Sequence, residues 1–311
     1  MTTRAKRLLS LNKSRTTFNL KKQEERAAVM MIMPFMIGFI IFALIPVVYA
    51  IVLSFLNYNS LMDLKDVKWI GLSNYIQVFQ DEVALKAFLK SFYYILIYVP
   101  SVLIFGFVMA LLLNKAFYGR TVIRTLILMP YVSNLVAVAM VFAILLDPFN
   151  GPVNMLLGYL GIDNPPMWLA GTKEVIPTVA LISVWQGSAF HTIVYLAALQ
   201  GVPRELYEAA EIDGASRWKK ITNVTLPMIS PTTFFLIIVS IINALQNYSA
   251  IKVYSDGGPG DASRVISYNI YEEAFSYNHF SYAGAQSVLL FLIVLVITII
   301  QWKGQKKWVH Y

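Results

Sequence analysis

Hydrophobic residues dominate six long stretches of the chain that contain no Asp, Glu, Lys or Arg. These stretches are 27–62, 91–114, 125–146, 175–203, 221–251 and 282–302. A helix of about 20 apolar residues crosses the roughly 30 Å hydrocarbon core of a bilayer. The pattern therefore predicts six membrane-spanning helices, and the two longest stretches are expected to contribute helices near 29–55 and 232–251. The uncharged segment 148–162 is short for a crossing, and we predict a surface or re-entrant loop there.

Composition supports the same conclusion. The 311 residues are 58% hydrophobic and 14% charged, and their mean hydropathy is +0.62, which leaves too little charge to cover a water-facing globule. We therefore predict an all-α integral membrane protein whose six transmembrane helices form one bundle. The chain has no cysteine, and its three histidines have no metal-ligand spacing. No catalytic residue, metal site or bound cofactor is expected.

Positive charge is distributed unequally between the two sides of these spans. The N-terminal tail 1–26, the second and fourth loops and the C-terminal tail 303–311 hold 18 of the 25 Lys and Arg residues, and the other side holds seven. Cytoplasmic loops carry the excess of Lys and Arg, so both termini are predicted to be cytoplasmic. Because this charge lies in short tails and loops beside the spans, no nucleic-acid partner is expected.

The predicted spans contain few ionisable groups. None holds an Asp, Glu, Lys or Arg, which argues against transport coupled to protons or ions. His191 is the exception, and a hydrogen bond between helices is favoured over a functional role for its side chain.

Neutral polar residues cluster in two spans. In the fifth span, Ser240, Asn243 and Asn247 recur at helical spacing beside Gln246, which predicts a polar stripe on one helical face. In the fourth span the cluster surrounds Gly187, which would also allow a local helix break. Two interpretations stay open for both clusters. One is helix-to-helix hydrogen bonding, and the other is a path for a neutral, hydroxyl-rich solute with Trp185, Phe190 or Tyr248 as stacking surfaces.

The fourth loop has a helix-start and helix-stop pattern. Pro203 is followed by good helix formers with early acidic residues, and Gly214 ends the pattern. A basic stretch, 215–223, then leads to Leu226-Pro227 and the next span. This order predicts a short helix, a corner and a second helix.

The spacing of this loop resembles a known motif. Glu208-Ala209-Ala210, Gly214, Val224 and Leu226-Pro227 match the EAA loop of ABC importer permeases, with Val224 where isoleucine is usual. The phrases 199–203 and 213–216 are similar to the carbohydrate-uptake branch of that family, which includes maltose, glycerol-3-phosphate and multiple-sugar permeases.

The resemblance implies a multi-pass transport subunit in the cytoplasmic membrane of a prokaryotic cell. Residues 27–302 would form the permease domain, and loop 203–227 would be a coupling helix seated on a separate ATPase that binds ATP-Mg. The implied partners are a second homologous permease, expected as a heterodimer, two ATPase subunits, an external solute-binding protein and the lipid bilayer. The residues implied in ATPase coupling are Glu208, Ala209, Ala210, Asp213, Gly214, Leu226 and Pro227.

By the same resemblance, the sugar site is built partway across the bilayer from the fourth span and from the span before the Gly257-Gly258-Pro259 turn. Those spans carry the two polar clusters described above. The candidate substrate-path residues are Ser183, Gln186, Gly187, Phe190, Asn243, Gln246, Asn247 and Tyr248.

The chain has no Gly-Lys-Ser/Thr of a Walker A motif, so it is not expected to hydrolyse ATP itself.

Two rival interpretations of its function remain. A channel or facilitator acting alone would share the polar clusters but would not need a docking loop. A membrane enzyme would need clustered carboxylates such as Glu272 with Glu273 or Asp63 with Asp66, and solvated charge explains these residues better.

Overall fold

The computed structural model describes residues 26–59, 61–115 and 118–308. The chain divides into two compact units, Met1–Leu53 and Ser54–Tyr311, and each is described by itself. The first unit contains helix α1 (Arg26–Leu53), whose turn at Ile40–Leu44 is a π-helix. Within the described ranges the structure has no β-strand, and Leu56 and Trp69 form one isolated bridge. The expectation of an all-helical chain is confirmed for these residues.

The second unit consists of helices joined by short connections. They are α2 (Ser73–Gln80), α3 (Glu82–Asn114), α4 (Arg120–Val132), α5 (Leu135–Leu145), α6 (Pro152–Tyr159), α7 (Val175–Gln200), α8 (Arg204–Ile212), α9 (Arg217–Met228), α10 (Ser230–Leu245), α11 (Tyr248–Tyr254), α12 (Ile266–Phe275) and α13 (Phe280–Trp308). Two short 3₁₀ turns, Leu64–Asp66 and Trp168–Ala170, lie in the connections.

Four of these helices are long and apolar enough to cross a membrane, namely α1, α3, α7 and α13. Two further pairs qualify only when each is taken as one bent span. The pair α4–α5 bends by 101° and the pair α9–α10 by 68°. The structure therefore offers four to six candidate spans.

The third predicted span, 125–146, is not one continuous helix. Helix α4 ends at Val132, and Ser133 adopts an extended conformation. Asn134 then caps α5, because its Oδ1 accepts hydrogen bonds from the amides of Val136 (2.9 Å) and Ala137 (3.2 Å). An Asn cap satisfies amides that have no partner at a helix start. Asn134 therefore starts a new helix inside an apolar stretch that hydropathy alone predicted as one continuous helix.

The fifth predicted span, 232–251, is broken as well. Helix α10 stops at Leu245, and α11 starts after Asn247, whose Oδ1 accepts a hydrogen bond from the amide of Ala250 (3.3 Å). The expectation of one polar stripe along a single helical face was therefore wrong. Ser240 and Asn243 belong to α10, whereas Asn247 caps the next helix.

The uncharged segment 148–162, predicted as a surface or re-entrant loop, is not among the candidate spans, and its centre forms the short helix α6. Pro152 stands in the first turn of α6, where its missing amide costs nothing. Asn154 ties the helix to the chain on both sides by donating to the carbonyls of Pro148 (3.0 Å) and Pro166 (3.1 Å).

Two other helices are longer than the hydrophobic stretches that predicted them. Helix α3 begins at Glu82, where Asp81 caps it, and so it starts nine residues before the stretch 91–114 and includes the charged residues Glu82, Lys86 and Lys90. Helix α13 runs to Trp308, and the predicted tail 303–311 is therefore helical as far as 308. The predicted tail 1–26 lies outside the described residues apart from Arg26, as do 309–311.

The centre of the second unit is the contact between α3 and α7. A Cβ atom at Gly106 of α3 would lie only 2.6 Å from the Cβ of His191 on α7. Small residues at such a contact let two helix backbones approach closely. Gly187 instead leaves room for a side chain, because a Cβ there would lie 2.8 Å from the hydroxyl of Tyr98. The suggested helix break at Gly187 is wrong, since α7 continues through it.

Candidate substrate cavity and coupling loop

A cavity of about 450 Å³ lies where α7 faces the break between α10 and α11. Its size falls within the range of roughly 300–1,000 Å³ for small-molecule sites. The residues that line it are Tyr98, Tyr131, Leu135, Ser183, Gln186, Gly187, Asn243, Gln246, Asn247 and Ala250. We call this space the polar cavity.

Six of the eight substrate-path candidates line the polar cavity. The structure thus brings together the two polar clusters that are far apart in sequence. The four remaining lining residues were missed by sequence reasoning. Tyr98 and Tyr131 come from α3 and α4 and stand among many other aromatic residues of apolar stretches, so no sequence signal distinguished them.

Hydrogen bonds fix the orientation of two cavity amides. Tyr254 donates its hydroxyl to Oε1 of Gln186 at 2.7 Å. Asn247 donates from Nδ2 to the hydroxyl of Tyr94 at 2.9 Å, and the ring of Tyr94 stacks on that of Tyr98 with centroids 5.6 Å apart. The cavity wall is therefore held by tyrosines from α3 and α11.

The three predicted stacking residues do not line the polar cavity. Phe190 packs against Tyr131 with ring centroids 6.5 Å apart, and Trp185 meets Phe142 edge to face at 5.4 Å. Tyr248 stacks on Tyr271 at 4.7 Å in a neighbouring space. Phe190 and Trp185 thus contribute to helix packing around the cavity.

His191 forms hydrogen bonds within and between helices. Its Nδ1 lies 2.9 Å from the carbonyl oxygen of Gly187, and its Nε2 lies 2.8 Å from Oγ of Ser240 on α10. Because a carbonyl only accepts, Nδ1 carries the proton and Nε2 accepts from the serine hydroxyl. This is the interhelical hydrogen bond that the sequence favoured.

The polar cavity has no charged lining residue, and the described part of the chain has no cluster of His, Asp and Glu that could hold a metal ion. Two of the carboxylates considered for an enzyme form ion pairs outside the polar cavity. Glu272 pairs with Arg264 at 2.5 Å, and Glu273 contacts His279 at 2.8 Å. The cavity presents amides and hydroxyls, which suit hydrogen bonding to an uncharged polar solute.

The fourth loop folds as the sequence predicted, with a helix, a corner and a second helix. Helix α8 ends in a Schellman motif, in which Ala215 N–H donates to the carbonyl of Ala210 (2.9 Å) and Gly214 N–H to that of Glu211 (3.0 Å). Gly214 takes the left-handed conformation, with φ of +72°. Ser216 then caps α9 by accepting from the amide of Lys219.

Two side-chain contacts hold α8 against α9. Tyr207 shares a hydrogen bond of 3.0 Å with Thr225, and Glu211 forms an ion pair with Lys220. The hydrogen bond from Lys220 lowers the pKa of the Glu211 carboxyl below its ordinary value. These contacts use one side of α8 and leave the other side exposed.

The predicted coupling residues fall into two groups. Glu208, Ala209, Asp213 and Gly214 are exposed on α8 and its corner, with Ala210 partly buried beside them. Leu226 and Pro227 lie at the far end of α9, next to its bend into α10. Sequence reasoning missed two apolar side chains of this loop, Ile212 and Trp218, which are 88% and 72% exposed. The sequence does distinguish these two residues, because each is a large apolar residue in a charged segment.

Comparison with known proteins agrees with this architecture. Residues 79–303 match the family described as "Binding-protein-dependent transport system inner membrane component". The chain is 34% identical over 295 residues to the "Probable ABC transporter permease protein YesP" of Bacillus subtilis (strain 168), covering 93% of this chain and 94% of that one.

A second relative and a solved structure extend the comparison. The chain is 35% identical over 249 residues to the "sn-glycerol-3-phosphate transport system permease protein UgpA" of Yersinia pestis bv. Antiqua (strain Antiqua), covering 78% and 82% of the two chains. It superposes with a TM-score of 0.79 and 25% identity on a chain of a bacterial alginate ABC transporter solved in complex with an alginate pentasaccharide-bound periplasmic protein, covering 92% and 96%. With this match over most of its length, the chain belongs to the binding-protein-dependent transport system inner membrane component family and is a multi-pass permease subunit of an ABC importer.

Proposed function

We propose that this permease subunit carries a carbohydrate, an oligosaccharide or related polyol, across the membrane through the polar cavity. The observation that carries the proposal is the lining of that cavity, in which seven amide and hydroxyl side chains converge without any charged residue. The hydroxyl groups of a solute can both donate hydrogen bonds to such side chains and accept hydrogen bonds from them. A relative named for sn-glycerol-3-phosphate transport and a similar structure described as involved in the import of the acidic polysaccharide alginate support the class of hydroxyl-rich solutes.

The proposed topology has six spans, with each bent pair of helices counted as one crossing. Both termini would then be cytoplasmic, as the excess of Lys and Arg in the tails and in the second and fourth loops indicates. Residues 27–302 would form one permease domain in the cytoplasmic membrane of a prokaryotic cell, between the cytoplasmic tails 1–26 and 303–311.

Energy for transport would come from outside the chain. The exposed side of α8, with Glu208 and Ala209 at its centre, would dock into a cleft of a separate ATPase subunit, and Ile212 would add an apolar contact. ATP-Mg would bind to that partner, and this chain would need no cofactor or metal of its own. Gly214 would set the angle between α8 and α9 and so the direction in which a closing ATPase pulls α10.

The complete importer would contain a second homologous permease, expected to form a heterodimer with this chain, two ATPase subunits and an external solute-binding protein. Half of the substrate path would then come from the partner permease. Specificity would be shared between the polar cavity and the binding protein that delivers the carbohydrate.

Gentle extraction of the tagged chain from its native membrane tests this assembly. We expect a second permease and two ATPase copies to co-purify in fixed ratio, and the ATPase to be lost in a Glu208→Lys variant. The control is Glu82→Lys, which reverses an exposed charge on the predicted outer side. Recovery of a homo-oligomer without ATPase would favour a channel acting alone.

A further inference from the structure

We propose that a second carbohydrate subsite adjoins the polar cavity, so that one oligosaccharide occupies both spaces at once. This inference rests on the carbohydrate function proposed above. It concerns a second, open cavity of about 440 Å³ bordered by the start of α11, by α12 and by α13. We call it the aromatic cavity, and its lining residues are Gln246, Tyr248, Ser267, Ile270, Tyr271, Phe275, Ser287, Leu290, Phe291 and Val294.

A row of aromatic rings is the main feature of this space. Tyr248 and Tyr271 stack with centroids 4.7 Å apart and planes 26° apart, and Phe275 follows Tyr271 at 5.3 Å. The row continues outside the cavity through Phe280 at 5.9 Å and Tyr58 at a further 6.2 Å. Phe275 is 66% exposed, so the row is accessible. A pyranose ring presents a face of C–H groups, and the ring faces of this row that no neighbouring ring covers offer a matching flat apolar surface.

Polar groups accompany the rings. The Oγ of Ser267 is shielded from solvent and has no hydrogen-bond partner within the described residues. A buried hydroxyl that lacks a partner costs free energy. Rotation of the Ser267 side chain would turn this hydroxyl towards the cavity, where a ligand hydroxyl can supply the missing bond. An apolar wall with a few polar groups is the common composition of a small-molecule site.

The positive charge of Lys252, which lies beside Tyr271, is already paired with a carboxylate. The ammonium of Lys252 lies 5.9 Å from the ring centroid of Tyr271, but it also contacts the carboxylate of Asp256 at 2.6 Å. An anionic sugar would have to compete with Asp256 for this cation. The aromatic cavity therefore suits an uncharged sugar unit.

The two cavities adjoin at the break between α10 and α11. Gln246, at the end of α10, lines both of them, and Tyr248 opens α11 two residues later. A sugar chain that leaves the amides of the polar cavity therefore meets the stacked pair Tyr248 and Tyr271. The second subsite would favour the uptake of substrates of several sugar units over the uptake of a single unit.

The test measures which chain lengths the importer removes from the medium. Cells that carry the complete transporter are given a partial acid hydrolysate of mixed plant and algal polysaccharides, sized from one to six units, and each species is followed by mass spectrometry. We expect Tyr271→Ala to slow the removal of the longer species by roughly two- to tenfold, the effect of losing one aromatic contact, and to spare the shortest species. Tyr271→Phe keeps the ring and should behave as the unsubstituted protein.

The control variant is Tyr159→Ala, which removes a ring that is 86% exposed on α6 and away from both cavities. Membrane level and recovery of the ATPase are measured for every variant, and Phe275→Ala serves as a second test if Tyr271→Ala does not accumulate. Unchanged removal of every chain length by the Tyr271→Ala variant would overturn the second subsite. That result is expected if lipid, and not the substrate, fills the aromatic cavity. Removal of no carbohydrate by the unsubstituted transporter, relative to cells that lack it, would instead overturn the proposed function.

Discussion

Gly214 shows how one residue can set the geometry of the coupling loop. Its φ of +72° lies in the left-handed region, and an added Cβ would meet no atom within 4 Å. Space is therefore available for a side chain, and only the backbone conformation restricts the residue. Glycine adopts this conformation freely and Asn tolerates it, whereas other L-residues pay roughly 1–2 kcal/mol.

We expect Gly214→Val to reduce both uptake and recovery of the ATPase, because valine would favour a different angle between α8 and α9. A cost of about 1–2 kcal/mol corresponds to a factor of about 5–30 in an equilibrium. Gly214→Asn should keep most of both activities. The control is Gly158→Val, a substitution in α6 at a glycine that also has no neighbour within 4 Å but lacks the positive φ. Equal behaviour of Gly214→Val and Gly214→Asn would mean that the left-handed corner does not matter for coupling.

This corner and helix α8 could be predicted from sequence because their signals are local. Pro203 and Gly214 mark the start and end of a helix by backbone chemistry that needs no other part of the chain. The polar cavity was predicted only in part. Its amides are conspicuous in apolar spans, but Tyr98 and Tyr131 are ordinary aromatic residues of apolar stretches, and only the packing of α3 and α4 against α7 brings them to the wall.

At the scale of helices, the breaks were the features that hydropathy could not predict. The residues around Gln246 and Asn247 are uncharged, so the stretch 221–251 looks continuous. The break depends on the Asn247 cap of α11 together with its hydrogen bond to Tyr94 on a distant helix. Asn134 likewise caps α5 at the break between α4 and α5. A capping Asn inside an apolar stretch is therefore the signal that could have located both breaks.

Asn247→Ala should lower uptake while the ATPase still co-purifies. The substitution removes the cap of α11, worth about 0.5–2 kcal/mol, and removes the amide donor to the hydroxyl of Tyr94, whose ring stacks on the cavity residue Tyr98. Asn247→Asp keeps the capping oxygen but loses the amide donor, so it separates the two effects. Asn134→Ala removes a cap of the same kind at the other break and serves as the comparison. Loss of the ATPase in Asn247→Ala would show that this residue supports the whole subunit.

The close contact of α3 and α7 leads to a stability prediction. Gly106→Ala places a methyl group 2.6 Å from the Cβ of His191 and 3.2 Å from its backbone carbonyl carbon. Overpacking of this kind costs typically about 1–3 kcal/mol, so thermal unfolding in detergent should occur at a lower temperature. Gly304→Ala in α13, where no atom lies within 4 Å, should have little effect. An unchanged unfolding temperature for Gly106→Ala would show that the two helices can separate at little cost.

For the whole molecule, the number of crossings depends on whether each bent pair spans the membrane. A pair that crosses puts the loops before and after it on opposite sides, whereas a re-entrant pair puts them on the same side. Lys115 and Asp163 lie before and after α4–α5, and Ser216 and Ser276 lie before and after α9–α10. All four residues are exposed, which makes them suitable reporters.

The absence of native cysteine allows a direct measurement of this topology. Single cysteines at these four positions are treated with a membrane-impermeant thiol reagent in right-side-out and in inverted membrane vesicles. Because Lys and Arg concentrate on the cytoplasmic side, we expect Lys115→Cys and Ser216→Cys to react only in inverted vesicles, and Asp163→Cys and Ser276→Cys only in right-side-out vesicles. The unsubstituted chain gives the background.

Reaction of Lys115→Cys and Asp163→Cys from the same side would make α4–α5 re-entrant. Reaction of Ser216→Cys and Ser276→Cys from the same side would make α9–α10 re-entrant. Either result would reduce the six crossings, and an inverted pattern at all four positions would place the coupling loop outside the cell, where no ATPase could reach it.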